Sequence, residues 1–156
     1  MTLRQIASHH YRVLVVIQPV AGESVEAILR DAKRFYPLLF EQMAAALREH
    51  TPTFGPPFAE ERVGVASAKY LDGGISELIA LNRAASRRKG AKQSKEERRL
   101  GLRVFFFQHG KDVICTNACY KTSPTPPDTL PAAMQIRSEY LDYLASGRTP
   151  TIIEGD

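Results

Sequence analysis

No run of about 18 apolar residues occurs in this 156-residue sequence, so no membrane-spanning helix and no membrane partner are expected. The opening stretch, MTLRQIASHHYRV, lacks an apolar segment followed by a small-residue cleavage site; without that secretory signature the cytoplasm is the expected compartment. Cysteine is scarce. Cys115 and Cys119 are four residues apart on an expected strand, roughly 13 Å, which is too far for a disulfide, so two buried thiols are expected. The four histidines, His9, His10, His50 and His109, do not combine with them at metal-ligand spacing, and neither a metal nor any other cofactor is expected.

Acidic residues are nearly missing from one segment. Between Arg83 and Arg103 stand Arg83, Arg87, Arg88, Lys89, Lys92, Lys95, Arg98, Arg99 and Arg103, against Glu96 and Glu97 alone. The net charge of +4 therefore hides a local excess of +7, with the rest of the chain slightly acidic. A charge so localised points to a polyanion contact, although a solvated, self-repelling loop has the same composition. The apolar content of 44% places the bulk of the chain among globular proteins, and its length suits one core without staples.

Residues 11–18, YRVLVVIQ, are β-branched and almost continuously apolar, as in a central strand covered on both faces; Pro19 ends it. Residues 23–35 place Val25, Ile28, Leu29 and Ala32 on one helical face, and Pro37 opens a second helix to about His50. TPTFGPPFAEE is then expected to be irregular. The turn signal LDGG separates strands around residues 66–70 and 75–81. LRVFFFQHGKDVICTNACYK forms a hairpin about His109-Gly110-Lys111, and a last helix runs from Thr129 to about Ser146, with Gly147 suited to its C-terminal cap. The expected fold is α+β in two layers: an N-terminal strand and helical hairpin packed on an antiparallel sheet of about four strands, then a C-terminal helix. One domain spans residues 1–147, with a basic insertion at about 82–101 and a loosely held tail, residues 148–156.

KYLDGGISELIAL, then LRVFFFQHGKDVI, then YKTSPTPPDTLPAAMQIRSEYL resemble, in order and spacing, the toxins of the RelE/HigB superfamily of bacterial toxin-antitoxin modules, in their phage-derived HigB-like branch. The resemblance covers about residues 60–145 and leaves out the basic insertion. It implies a RelE-like fold and a metal-independent endoribonuclease that cleaves mRNA on the ribosome and is silenced by a cognate antitoxin, of helix-turn-helix type. RNA supplies its own nucleophile, the 2′-OH. Cleavage then needs a base for that proton, cations for the pentavalent phosphate and an acid for the 5′-oxygen.

Arg103 matches the family's strand-borne arginine and is expected to hold the phosphate with its two-pronged donor, unless it is a surface cation on a half-exposed strand. Lys121 falls at the family's cationic position after the last strand, where it either neutralises the transition state or is simply solvated. Tyr120 is the candidate to stack on a base or protonate the leaving oxygen; its alternative is packing. Glu77 is placed to serve as general base or to pair with Arg103 in the sheet. His109 has the right titration range but sits at a hairpin tip. Where other members carry two lysines, this chain has Glu77 and Ile79, and Lys69 or the insertion is the candidate source of the missing charge. RNA contacts are accordingly expected from Lys69, Arg87, Arg88, Lys89, Lys92, Lys95, Arg98 and Arg99. Two other functions suit the same fold: a ParE-like toxin that binds DNA gyrase without catalysis, and an inactive phage-derived RNA-binding protein. Deleting residues 87–99 is expected to weaken RNA or ribosome binding and to flatten its salt dependence, measured as affinity across a salt series. An unchanged slope would exclude the insertion from the contact.

Overall fold

The computed structural model of the chain describes residues 1–19, 23–58, 64–81, 100–121 and 129–155. It is an α+β fold built on one open, mixed sheet. The strands are β1 (Thr2–Ser8), β2 (Arg12–Val16), β3 (Ser67–Asp72), β4 (Ile75–Leu81), β5 (Gly101–His109), β6 (Asp112–Lys121) and β7 (Thr151–Glu154), in the order β3-β4-β5-β6-β2-β1-β7. Pairing is antiparallel from β3 through β6, parallel between β6 and β2, antiparallel between β2 and β1, and parallel between β1 and β7.

The helices begin where local chemistry allows. Ser24 caps α1 (Val25–Phe35), its Oγ accepting from the Ala27 amide at 3.1 Å, and Pro37 opens α2 (Pro37–Ala44), where its missing N–H costs nothing. The helical path continues through a π-type segment, Ala45–His50, into α3 (Thr51–Phe54). Pro52 has no N–H for the Arg48 carbonyl and its ring would press on it, and the wider π turns lie directly before that point. The TPTF part of the stretch expected to be irregular is thus a final helical turn. α4 (Thr129–Ala145) ends at Gly147, whose φ of 80° lets the chain reverse.

The expected two layers are three. Along β2, Val13 and Val15 join the core under α1 and α2, while Leu14 and Val16 join the core under α4. β5 divides likewise, with Leu102, Val104 and Phe106 on the hairpin side and Phe105 and Phe107 on the α4 side. Central strands buried on both faces must be apolar throughout, which is why residues 11–18 carry no alternation. The sheet also has seven strands, not about four. β1 gives little periodic signal because only Leu3 is buried in it, and the tail, expected to be loosely held, pairs with β1 as β7 through hydrogen bonds such as Thr151 N–H to Met1 O at 2.9 Å.

One turn and one bulge position the meander. Gly73 and Gly74 both take positive φ, 59° and 80°, as a tight two-residue hairpin requires, and Met134 and Arg137 of α4 lie against them. In β6 one extra residue, Thr116, interrupts the ladder: Phe106 pairs with Cys115 but Phe105 pairs with Asn117. The bulge places Cys115 on the hairpin side and Cys119 on the α4 side; both are free thiols. Burial pushes the Cys115 thiol up to about 12, which keeps it protonated and inert. Cys119 is only half-buried. No helix among the described residues is long and apolar enough to cross a membrane.

Phe105 and Phe106 are adjacent in sequence and both fully buried, in opposite cores. Phe105→Ala and Phe106→Ala are each expected to lower stability by about 3–5 kcal/mol in urea unfolding. A negligible loss in either variant would contradict the two-sided core.

Candidate functional site

Four charged side chains meet on the α4 side of the meander. In antiparallel pairs, directly opposed residues share a face. Lys69 of β3 is opposite Glu77 of β4; Arg103 of β5 is opposite Ile79 on one side and Cys119 on the other; Lys121 of β6 is opposite Gly101. The cations and the single carboxylate therefore step diagonally across four strands. Glu77 and Arg103 are buried, and Arg103 Nε lies 3.0 Å from Glu77 Oε2, with 3% and 4% of their side chains exposed. Of the two alternatives for Glu77, the geometry realises the Glu-Arg pair. Charges so far from water cost several kcal/mol each to desolvate, and each holds the other in place.

Asn117 and the first turn of α4 border this cluster. Asn117 Nδ2 donates to the Thr129 carbonyl at 3.1 Å, and Thr116 Oγ1 donates to Asn117 Oδ1 at 2.9 Å. Burial raises the Cys119 pKa, opposed by a hydrogen bond with Thr129 and by the Arg103 charge. Lys121 is half-buried at the strand end. Its pKa is lowered, first by burial and next by Arg103, with Lys69 adding to the effect and Glu77 opposing it. A lysine crowded by like charge is one whose neutral amine is more accessible than usual. Lys69 is exposed.

Tyr120 does not belong to this face. Its hydroxyl donates to Asp31 Oδ2 of α1 at 2.5 Å, and its ring meets Tyr36 edge-on at 5.4 Å, so it packs under the helical hairpin. Burial and the Asp31 bond raise its pKa, which binds its proton more tightly. Of the two alternatives for Tyr120, the geometry realises packing, on the face opposite Arg103 and Lys121. Without the Thr116 bulge, Arg103 would face Ala118 and share its side with Tyr120; the extra residue exchanges Tyr120 for Lys121. His109 is six residues along β5 from Arg103, roughly 20 Å away, with its ring against Tyr140.

Arg87, Arg88, Lys89, Lys92, Lys95, Arg98 and Arg99 lie outside the described residues. The chain leaves the sheet at Leu81 and returns at Gly101, however, and Leu81 and Lys121 both pair with Gly101, so the two ends of the insertion's connection lie beside Lys121. Asn117 and Cys119 were not singled out from sequence for this face. Counting outward from the His109-Gly110 turn finds them only if the bulge is known. Among the described residues, no group of three or more His, Cys, Asp and Glu side chains is arranged to hold a metal. Comparison with family models, characterised proteins and solved structures returns no match to this chain.

The Glu77–Arg103 pair should be strongly coupled. Glu77→Leu and Arg103→Leu singly are each expected to cost about 3–5 kcal/mol in urea unfolding, because each strands a buried charge, whereas the double variant should be nearly neutral. Additive losses would show that the pair does not act as a unit.

Proposed function

We propose that the chain is the toxin of a type II toxin-antitoxin module of the RelE/HigB kind, a metal-independent endoribonuclease acting on mRNA at the ribosome and silenced by a cognate antitoxin. The order of elements from β2 onward supports this reading, since a strand, a helical hairpin, an antiparallel meander and a C-terminal helix follow one another as the resemblance implies, while β1 and β7 are additions to that order. The observation that carries it is the placement of Lys69, Arg103 and Lys121 around a single carboxylate on one sheet face, beside the point where the basic insertion joins the sheet. Among the described residues, this leaves a surplus positive field even with Lys121 neutral, which a bound phosphodiester would offset.

Roles follow from exposure. The neutral Lys121 amine takes the 2′-OH proton, made available by the burial and the Arg103 charge that lower its pKa. Exposed Lys69 contacts the phosphate and supplies the proton to the departing 5′-oxygen. Arg103, only 2% exposed, acts through its field from beneath the surface, and Glu77 positions it without touching the substrate. Tyr120 has no part in proton transfer, as its hydroxyl is engaged with Asp31 across the sheet. Gyrase binding requires an exposed apolar face on the helical hairpin and has less support. The exposed aromatics there, Phe35 and Phe54, are at the end of α1 and in α3, separated by the helical path from Pro37 to Phe54, roughly 26 Å long.

Expression of the chain without antitoxin is expected to arrest growth and cleave reporter mRNA, and Lys121→Ala is expected to reduce cleavage by about 10²–10⁴-fold while the protein stays folded. A base is active when neutral, so the rate should rise with pH through the Lys121 pKa, at a pH below the 10.5 of an ordinary lysine, and Lys121→Arg should abolish that rise. Full toxicity in folded Lys121→Ala would refute the assignment.

A further inference from the structure

A cavity of about 420 Å³ opens on the other side of the sheet, between β1, β2 and the helical hairpin. Its floor is apolar, with Val15, Val25 and Leu29 taken from the hairpin-side core. Phe40 lines it as well, and Lys33 Nζ lies 5.6 Å from the centre of that ring. The described charged lining consists of four cations, Arg4, Arg30, Lys33 and Arg48, and one acid, Glu26. Glu26 is already committed: its carboxylate meets Arg4 Nε at 3.1 Å. Among the described residues, Arg30, Lys33 and Arg48 have no acidic partner, although they converge from α1 and the π-type segment on one opening.

One end is walled by the tail. The Gly155 amide donates to the Gln5 carbonyl at 2.8 Å, and a Cβ at Gly155 would fall 2.5 Å from that oxygen, so the backbone itself closes the space. A bounded cavity of this volume fits a compact ligand better than a length of helix or strand. The ligand it suits has a flat or apolar body for Leu29 and Phe40 and an anionic group for the cations at the rim.

We propose that this cavity binds a nucleoside phosphate, with the base against Phe40 and Leu29 and the phosphate held by Arg30 and Arg48. Planar guanidinium groups make paired hydrogen bonds to phosphate oxygens, and bases stack on aromatic faces whatever their identity. The same chemistry is presented by a free nucleotide and by a unit of single-stranded RNA. The site is separate from the Lys121 face and does not rest on the nuclease reading.

Calorimetric titration of the full chain with AMP, adenosine, inorganic phosphate and a six-nucleotide oligoadenylate tests the proposal. AMP should bind, and adenosine or phosphate alone should bind at least about tenfold more weakly. Arg30→Glu with Arg48→Glu, both exposed positions whose change leaves the core intact, should weaken AMP binding at least about tenfold per charge reversed. Lys121→Ala, on the opposite face, should leave it unchanged. Competition between the oligonucleotide and AMP would identify RNA as a source of the ligand; AMP binding without competition would identify the free nucleotide. Failure of both AMP and the oligonucleotide to bind, or equal binding by the charge-reversed variant, overturns the proposal, as does occupancy by an acidic peptide in their place.

Discussion

The pairing of β5 with β6, and the single extra residue Thr116 within it, decides what each face of this protein presents. On the turn side of the bulge, Phe106 is opposite Cys115; beyond it, every β6 side chain has changed sides relative to an uninterrupted ladder. That exchange brings Asn117, Cys119 and Lys121 to the α4 side and sends Ala118 and Tyr120 under the helical hairpin. Thr116 is fully buried and its hydroxyl lies 3.3 Å from the Phe105 carbonyl and 2.9 Å from Asn117 Oδ1, so the irregularity is tied down by its own side chain. Bulges of this kind re-aim side chains, and here the chemistry of the sheet depends on it.

The sheet is covered differently on its two sides. On one side the hairpin helices close an almost wholly apolar core, and Tyr120 ties β6 to α1 through Asp31. On the other, α4 covers Leu14, Phe105, Phe107 and Ile114, while Lys69, Glu77, Arg103 and Lys121 lie where β3 to β6 run on past that core. Burying Arg103 with Glu77 sacrifices hydration that an apolar pair would not need, and such pairs are weak sources of stability. Its consequence at this position is electrostatic: a fixed positive group beneath Lys121 adds to burial in lowering that lysine's pKa and contributes to the face's surplus of positive charge.

Much of the order along the chain was legible. Ser24, Pro37 and Gly147 mark helix ends by their own backbone chemistry, and the double glycine and Gly110 mark the hairpin turns. The apolar run in residues 11–18 signals a strand buried on both faces whatever its neighbours are. β1 and β7 were not legible, because each is half-exposed and takes its pairing from the other and from β2, with no periodicity of its own. Of the candidate site, Arg103, Glu77, Lys69 and Lys121 were identifiable as residue types at suitable places. Their common face was not, since a one-residue shift in register inverts every later side chain and leaves no mark in composition.

The sequence alone therefore determined most of the helices, strands and turns, with β1, β7 and the helical turn Thr51–Phe54 as exceptions, because those choices depend on side chains a few residues apart. It also determined that positive charge concentrates beside the meander. The tertiary structure alone decided that Lys121 and not Tyr120 stands with Arg103, that Glu77 is consumed by a buried pair, and that a basic cavity forms beneath the hairpin. Each of these depends on strands and helices distant in the chain meeting in one register, and nearest-neighbour chemistry does not specify that register.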